Sequence, residues 1–210
     1  QPTSPHIVEE LARLEKEPYY SDLDFHITQE EILLALKRLD KKSSPGPDGM
    51  SANIVVAGKD SIIPLFELFY NKLFSYSTQP KIFAANFLIT IFKKGETWNP
   101  DNYRGIAIGS VLAKIFSLII LNRVENFINA NCPISQNQIG FKTGHRTSDH
   151  IFVLHSIINK ILKVEKKKLF VAFVDFRKAY DTVNRDMMLL KLQRLGIKGI
   201  IYQNIKHIYK

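Results

Sequence analysis

The sequence predicts a mixed α/β (α+β) fold that consists mainly of helices, because short apolar strands alternate with groups of amphipathic helical segments. Strands are expected at 87–94 and 168–175, and helical patterns lie before, between and after them. The chain has 210 residues, of which 45% are hydrophobic and 11% aromatic, so it can bury a hydrophobic core. We therefore expect a mixed globular domain rather than a helical bundle or a disordered tail.

The first half of the chain contains a strongly patterned helix. Residues 27–40, ITQEEILLALKRLD, place apolar side chains on one helical face, and Thr28 and Glu31 have the spacing of a capping box. A turn-rich loop with two prolines and two glycines follows at 41–51. A second helix is expected at about 61–75.

Capping residues mark the helices of the second half of the chain. Ser110 is predicted to cap a long helix that extends to about Asn129, and Asp149 lies near the start of another that reaches about Val164. Residues 134–150 form a polar, glycine-containing segment. A last helix is expected from its cap Asn184 through Leu195, with a break at Gly196.

Charge is distributed unevenly along the chain, whose formal net charge is +9. Residues 1–30 hold two basic and seven acidic residues, net −5, and the rest hold 27 basic and 13 acidic residues, net +14. The acidic residues and three prolines within 1–27 indicate the end of a preceding linker. The basic excess of the body indicates either a polyanionic partner, most often nucleic acid, or a basic protein with solvated lysines.

The sequence argues against several classes of protein. No apolar run approaches the roughly 18 residues that cross a bilayer, and no basic region followed by an apolar stretch marks a secretory signal. The single cysteine, Cys132, excludes a disulfide framework and indicates a reducing, intracellular compartment. His145, His150 and His155 fall on different helical faces, so no histidine metal site is expected. The start at Gln1, without a methionine, indicates a fragment of a longer polypeptide.

The segment KLFVAFVD, residues 168–175, is apolar on both faces and ends in a carboxylate. This pattern predicts a central strand of a covered sheet, with Asp175 held where the chain leaves the core. Mg²⁺ prefers hard oxygen ligands and often takes one or two protein carboxylates together with substrate phosphates. Asp175 is therefore a candidate metal ligand, and a cap of the following turn is the alternative.

The residues D-F-R-K-A-Y-D, 175–181, resemble the first catalytic motif of reverse transcriptases, in the form seen in non-LTR (LINE-type) retrotransposons and group II introns. The resemblance implies that Asp175 is a ligand of two catalytic Mg²⁺ ions and that Phe176, at the nucleotide site, contributes its carbonyl oxygen as a further metal ligand. It also implies that Tyr180 lies under the sugar of the incoming nucleotide and excludes a 2′-OH. Asp181 is expected to support the turn.

Residues 89–124 resemble the first fingers motif of the same family, with a Lys-Lys-Gly turn followed by Asn-Tyr-Arg. A strand, a short loop at 95–105 and a return can place Lys93 and Arg104 on one face. The resemblance implies that both bind the incoming triphosphate, Lys as a point charge and Arg as a fork that chelates phosphate oxygens. Gly105 stands where proline is common, which leaves both charges intact and allows a looser loop.

Residues 134–152 resemble the second fingers motif of the family. The resemblance implies that Gly140, Lys142 and Arg146 lie against the template, with glycine permitting close approach of the backbone. Phe141 has two interpretations, a contact with a base or an anchor of the loop in the core, and anchoring is favoured.

Together these motifs imply the fingers and the first palm strand of a right-hand polymerase. The expected domains are an acidic linker or tail at 1–27, helix-rich fingers with a short sheet at 28–166 and the truncated beginning of a palm at 167–210. SSPGPDG, residues 43–49, resembles the block that precedes the fingers, and an ordinary tight loop is the alternative.

The resemblance implies an RNA-directed DNA polymerase that acts in the nucleus on an RNA template, a DNA primer and dNTPs, with two Mg²⁺ ions. In this family further metal ligands come from an aromatic-x-Asp-Asp motif, and the sequence contains no Asp-Asp. The chain alone is therefore predicted to be inactive in primer extension, and its oligomeric state is left open. The alternatives are a truncated or domesticated remnant that only binds RNA, and a basic α/β domain with an unrelated partner.

Overall fold

The computed structural model describes residues 5–17, 19, 22–132, 134–176 and 178–209, which form a helix-rich fold with one antiparallel hairpin. This architecture confirms the predicted mixed fold with a short sheet. None of the helices in this described part of the chain is long and apolar enough to cross a membrane. The elements are α1 (Pro5–Lys16), α2 (Gln29–Lys37), α3 (Ala52–Ala57), α4 (Lys59–Tyr76), α5 (Lys81–Ala84), β1 (Asn86–Phe92), β2 (Tyr103–Gly109), α6 (Val111–Asn131), α7 (Thr147–Ile158, continued by a π-helix over Asn159–Val164), α8 (Arg185–Arg194) and α9 (Gly199–Tyr209).

The described residues fall into two compact units. Unit 1 comprises the residues up to Phe127 and those from Asn184 onward, and unit 2 comprises Ile128–Val183. Unit 1 is therefore made of two stretches of chain, and unit 2 is inserted between them in the sequence. The hairpin belongs to unit 1, whereas α7 and the segment around Asp175 belong to unit 2.

The core of unit 1 is built around aromatic rings of α4 and α6. Tyr70 and Phe116 are buried, and their rings stack with centroids 5.9 Å apart. The Tyr70 hydroxyl donates a hydrogen bond to Leu112 O at 3.1 Å, and burial raises the pKa of this hydroxyl. Fully buried aliphatic side chains complete the core: Ile27, Ile32, Ile115, Ile119, Leu190, Ile197 and Ile201.

The predicted ends of three helices in unit 1 are confirmed by their hydrogen bonds. The Thr28 side chain accepts from Glu31 N at 3.3 Å, and the Glu31 carboxylate accepts from Thr28 N at 3.0 Å, which completes the capping box of α2. Ser110 Oγ accepts from an amide in the first turn of α6 at 3.1 Å, and Asn184 Oδ1 does the same for α8 at 3.0 Å. Gly196 ends α8 with a left-handed φ of 93°.

Arg123 of α6 ties the segment before α2 to this long helix. Its side chain is buried, and its guanidinium donates to the backbone oxygens of Leu23, Phe25 and His26 at distances of 2.8 to 3.0 Å. Two further bonds, of 2.5 and 2.8 Å, reach the Glu31 carboxylate. Burial raises the pKa of Glu31, but the hydrogen bonds that the carboxylate accepts, first those from Arg123, outweigh burial and hold this pKa below its ordinary value.

The prediction of a linker at 1–27 is wrong for Pro5–Lys16, which form helix α1. Leu14 of this helix is buried, and α1 contacts α8. Three of the acidic residues that indicate a solvated linker instead pair with cations near the other end of the chain, which sequence patterns do not reveal. Three ion pairs join α1 and the residue that follows it to the α8–α9 region: Glu10–Arg194, Glu15–Lys206 and Glu17–Lys198.

The prediction of a palm strand at 168–175 is also wrong. These residues form no strand, and the side chains of Phe170, Phe173 and Val174 are 89%, 84% and 82% exposed. A strand requires a hydrogen-bonded neighbour. In the sheet that the described residues form, β1 and β2 pair only with each other. The apolar segment therefore remains irregular, and Asp175 does not stand at the end of a buried strand.

Candidate nucleotide and nucleic-acid site

The hairpin of unit 1 places two basic side chains on one face of the sheet. Ile91 is paired with Arg104, and Lys93, two residues further on, donates its backbone N–H to Asn102 O at 2.8 Å. Residues two apart in a strand point to the same side, so Lys93 and Arg104 share a face. The two residues are diagonal neighbours across the hairpin, as the predicted return of the chain requires.

Hydrogen bonds fix the loop that joins the two strands. Asn102 Nδ2 donates to Glu96 O at 2.9 Å, and the Tyr103 hydroxyl donates to Thr97 O at 2.8 Å. Gly95 has a φ of 96°, and a Cβ built at this position would lie 2.7 Å from Asn102 Nδ2. The Lys-Lys-Gly turn therefore needs its glycine both for a left-handed backbone and for the close approach of Asn102.

Lys93 and Arg104 are both exposed and accessible to an anionic ligand. Neither makes an ion pair with any acidic side chain that the structure describes. Lys94, which follows Lys93 in the sequence, is also exposed. The first acidic residue after these two lysines is Glu96. An ammonium point charge beside a guanidinium fork suits the several oxygens of a polyphosphate.

The same loop carries the only tryptophan of the sequence, Trp98, whose side chain is 79% exposed. At the base of the loop the Phe92 and Tyr103 rings pack together with centroids 5.4 Å apart. Trp98 is not among the residues that the motifs predict for the site. Its position between the Lys-Lys-Gly turn and Asn-Tyr-Arg is the signal that places it near Lys93 and Arg104 in the sequence.

In unit 2, the loop that contains Gly140, Lys142 and Arg146 is open to solvent. Gly140 and Arg146 are exposed, and Lys142 is half-buried. A Cβ built at Gly140 would meet no atom within 4 Å, so its backbone is accessible from outside. The Arg146 N–H donates to Asp149 Oδ2 at 2.9 Å, which confirms that Asp149 lies at the start of a helix.

The prediction that Phe141 anchors this loop in the core is wrong. Its side chain is 93% exposed, and its φ of 62° is in the left-handed region, where few non-glycine residues occur. The loop is closed by backbone hydrogen bonds, such as the bond from Lys142 N to Ile139 O at 3.3 Å. These bonds make an apolar anchor unnecessary, and the ring faces solvent.

Asp175, Phe176 and Tyr180 lie on an exposed, irregular segment of unit 2. The Phe176 and Tyr180 side chains are 77% and 82% exposed, and Asp175 is exposed as well. Asp181 N donates to Lys178 O at 3.0 Å in the turn that follows, so Asp181 takes part in this turn through its backbone.

The described residues do not complete a centre for two Mg²⁺ ions. Asp175 offers one carboxylate, whereas a two-metal site needs several converging ligands. No group of three or more His, Cys, Asp or Glu side chains that could hold a metal ion occurs among the residues described. The donor set does not fit two ions by itself, and no chemical step of this chain is assigned to a metal.

The predicted site residues are thus divided between the two units. The hairpin register and the bond from Lys93 N to Asn102 O put Lys93 and Arg104 on the same side of the hairpin in unit 1. The other predicted residues all belong to unit 2: Gly140, Lys142, Arg146, Asp175, Phe176 and Tyr180.

Comparison with known proteins agrees with the motifs. Residues 91–209, more than half of the chain, match the family model described as reverse transcriptase (RNA-dependent DNA polymerase). The chain is 29% identical over 172 residues to a probable RNA-directed DNA polymerase from transposon BS of Drosophila melanogaster. It is 30% identical over 171 residues to a retrovirus-related Pol polyprotein from the type-1 retrotransposable element R2 of Popillia japonica. The chain therefore belongs to the reverse transcriptase family, and its recognition as part of a non-LTR retrotransposon reverse transcriptase is confirmed.

The chain spans about a fifth of the length of these curated relatives. The two alignments cover 80% and 81% of this chain, but only 19% and 22% of the respective relatives. A third relative, a probable RNA-directed DNA polymerase from transposon X-element of Drosophila melanogaster, is 25% identical over 78% of the chain and 18% of its own length.

Proposed function

We propose that this chain forms the nucleotide- and template-binding part of an RNA-directed DNA polymerase encoded by a non-LTR retrotransposon. The observation that carries the proposal is the hairpin face that presents Lys93 and Arg104 together. Both side chains are exposed, and neither is neutralised by an acidic side chain in the described ranges. In this role the two cations bind the triphosphate of the incoming dNTP, whose negative charge they offset.

The residues of unit 2 take the roles that the motifs imply. Tyr180 lies under the sugar of the nucleotide, and Asp175 with the Phe176 carbonyl supplies oxygen ligands for Mg²⁺ in the complete enzyme. Further carboxylates from outside the described residues are needed there, because one carboxylate does not hold two ions. The accessible loop residues Lys142 and Arg146 bind template phosphates, and Gly140 lets the template backbone approach.

At the level of domains, the proposal assigns residues 28–166 to the fingers and 167–210 to the start of the palm. It places the complete protein in the nucleus, with an RNA template and a DNA primer as its partners. The 210-residue chain alone is expected to extend no primer. Extension of a primed template by the pure chain would contradict the requirement for further carboxylates.

The triphosphate site is tested by titrating the chain with a fluorescent dNTP analogue. We expect Lys93→Ala and Arg104→Ala each to weaken binding by about 10-fold to 150-fold, the range that corresponds to ~1.5–3 kcal/mol for a charged hydrogen bond. Lys59→Ala, a change at an exposed lysine elsewhere in unit 1, is the matched control. Equal affinities of all four proteins would reject the hairpin as a triphosphate site.

The template site is tested by the salt dependence of single-stranded RNA binding, measured by anisotropy of a labelled RNA. Loss of one phosphate contact in Lys142→Ala or Arg146→Ala is expected to reduce the slope of log affinity against log salt by about 0.7. The exposed residue Lys160 of unit 2 provides the control, Lys160→Ala, with an unchanged slope. Binding that does not depend on salt would contradict a phosphate-binding surface.

The second candidate function is that of a remnant that binds RNA but catalyses no reaction. Both candidates predict RNA binding by this chain, and they differ in whether catalytic carboxylates are encoded downstream of Lys210. Sequencing the encoding transcript past Lys210 separates the two. An open frame that reaches an aromatic-x-Asp-Asp motif supports the polymerase, and an early stop codon supports the remnant.

A further inference from the structure

Trp98 is held in solvent by a loop whose neighbouring residues are fixed by hydrogen bonds. On one side of it, Thr97 O accepts from the Tyr103 hydroxyl at 2.8 Å. On the other side, Asn99 N donates to Glu96 O at 3.2 Å, and Asn99 Oδ1 accepts from Asp101 N at 3.0 Å. The 79% exposure of Trp98 is therefore imposed by a structured turn. Tryptophan is highly buried on average, and its exposure in such a turn leaves the indole available for an external contact.

The charges around Trp98 favour a polyanionic partner over an apolar protein surface. Lys93 and Lys94 precede the loop and Arg104 follows it, and all three side chains are exposed. The loop itself contributes the acidic residues Glu96 and Asp101, so the cations are in excess by one. An exposed indole among cations matches the way single-stranded nucleic acid is bound, with bases stacked on aromatic rings and phosphates held by Lys and Arg.

We propose that Trp98 stacks on an unpaired base of single-stranded RNA while Lys94 neutralises a neighbouring phosphate. This inference rests on the proposed function and adds to it a base-contacting residue outside the triphosphate pair Lys93 and Arg104. Stacking tolerates any sequence, because every base presents a π-face. The contact therefore positions a template and does not select its bases.

Because Trp98 is the only tryptophan, fluorescence of the unmodified chain reports on this residue alone when it is excited at a wavelength that the eight tyrosines do not absorb. The chain is titrated with a single-stranded RNA and, in parallel, with an abasic sugar-phosphate oligonucleotide of equal length and charge. Base stacking is expected to quench tryptophan emission with the RNA and to leave it nearly unchanged with the abasic strand. Equal responses to both strands, or no response at saturating RNA, would overturn the proposal.

Variants test the same contact through affinity, measured by anisotropy of a labelled RNA. Trp98→Ala is expected to weaken binding by about 5-fold to 150-fold, the range that corresponds to ~1–3 kcal/mol per stacked base, and Trp98→Phe to retain most of the affinity. Tyr76→Ala removes another exposed aromatic ring of unit 1, 69% exposed, and is expected to bind like wild type. Thermal unfolding of Trp98→Ala controls for folding, because an exposed side chain adds little to the core.

The outcomes separate this inference from the proposed function. If labelled RNA binds in a salt-dependent way but Trp98→Ala binds as tightly as wild type, the stacking contact is rejected and the proposed function stands. If labelled RNA does not bind at all, both are rejected.

Discussion

Replacement of Arg123 by methionine tests how strongly α6 holds the N-terminal segment of unit 1. The change removes the five hydrogen bonds that the guanidinium donates and its contact over the Phe74 ring, 5.1 Å from the centroid. Three backbone oxygens and the carboxylate of Glu31 lose their partner. Removal of one member of a buried ion pair costs about 3–5 kcal/mol, and because the Glu31 side chain is 25% exposed we expect the free energy of unfolding to fall by about 3 kcal/mol, the lower end of this range. That is a large fraction of the ~5–15 kcal/mol that stabilises a typical domain.

The pH dependence of stability tests whether loss of the Arg123–Glu31 ion pair causes the decrease in the free energy of unfolding. Burial raises the pKa of Glu31, but the hydrogen bonds that its carboxylate accepts, first those from Arg123 and then those from Thr28, hold the folded pKa below its ordinary value. A carboxylate with a lowered folded pKa contributes stability that is present above its unfolded pKa, about 4.3, and is lost as pH falls through the folded pKa. Wild type should therefore lose this stability below about pH 5, and Arg123→Met should lose less of it over the same range.

The measurement is urea unfolding followed by circular dichroism, at neutral pH and at several acidic pH values. Arg38→Met is the matched control, because Arg38 also binds an α6 carboxylate, Glu125 at 3.2 Å, but both side chains are more than a third exposed. An exposed pair contributes at most about 1 kcal/mol. Equal losses in both variants, or an unchanged acid profile in Arg123→Met, would refute the assigned role of the buried pair.

Three further changes test the hairpin and the core, each through the denaturant midpoint of the variant. Gly95→Ala should cost about 1–2 kcal/mol, because φ is 96° and the new Cβ would meet Asn102; a neutral result would contradict the required glycine. Gly105→Pro should change stability by less than about 1 kcal/mol, because the register puts position 105 in a pair that lacks ladder hydrogen bonds. A Cβ built at this position comes close only to Leu88 Cδ1, at 3.0 Å. Unfolding of the hairpin, seen as fast amide exchange, would contradict this prediction. Tyr70→Phe should cost about 1 kcal/mol through its lost bond to Leu112 O, and no cost would show the bond to be dispensable.

The parts of the fold that follow from local chemistry were predictable from the sequence. The capping box of Thr28 and Glu31 involves residues three apart, so the pattern contains both partners. Ser110 likewise bonds amides in the turn that it begins, and the conformation of Gly196 is favoured by glycine itself. The shared face of Lys93 and Arg104 follows from a short return of the chain and strand periodicity.

The predictions that failed depend on partners remote in the sequence. Helix α1 is held by ion pairs with residues near the opposite end of the chain, which no local pattern contains. The segment 168–175 has the composition of a central strand, but composition does not supply the neighbouring strands that would pair with it. Phe141 failed for a local reason instead: an aromatic residue predicts burial on average, but the turn that contains it directs the ring outward. The division of site residues between two units is likewise a tertiary property.

Because unit 1 is made of two stretches of chain that flank unit 2, its parts are synthesised at different times. Glu10 in α1 bonds Arg194 in α8 across a separation of 184 residues, and all of unit 2 is synthesised between them. On the ribosome α1 therefore emerges long before its partners, and its charged face stays in water until α8 and α9 are complete. Loop closure becomes costlier only as the logarithm of loop length, so lengthening unit 2 would slow this final docking only slightly. Closure of unit 1 is thus a step that joins α1 to α8 and α9 only after unit 2 has been synthesised.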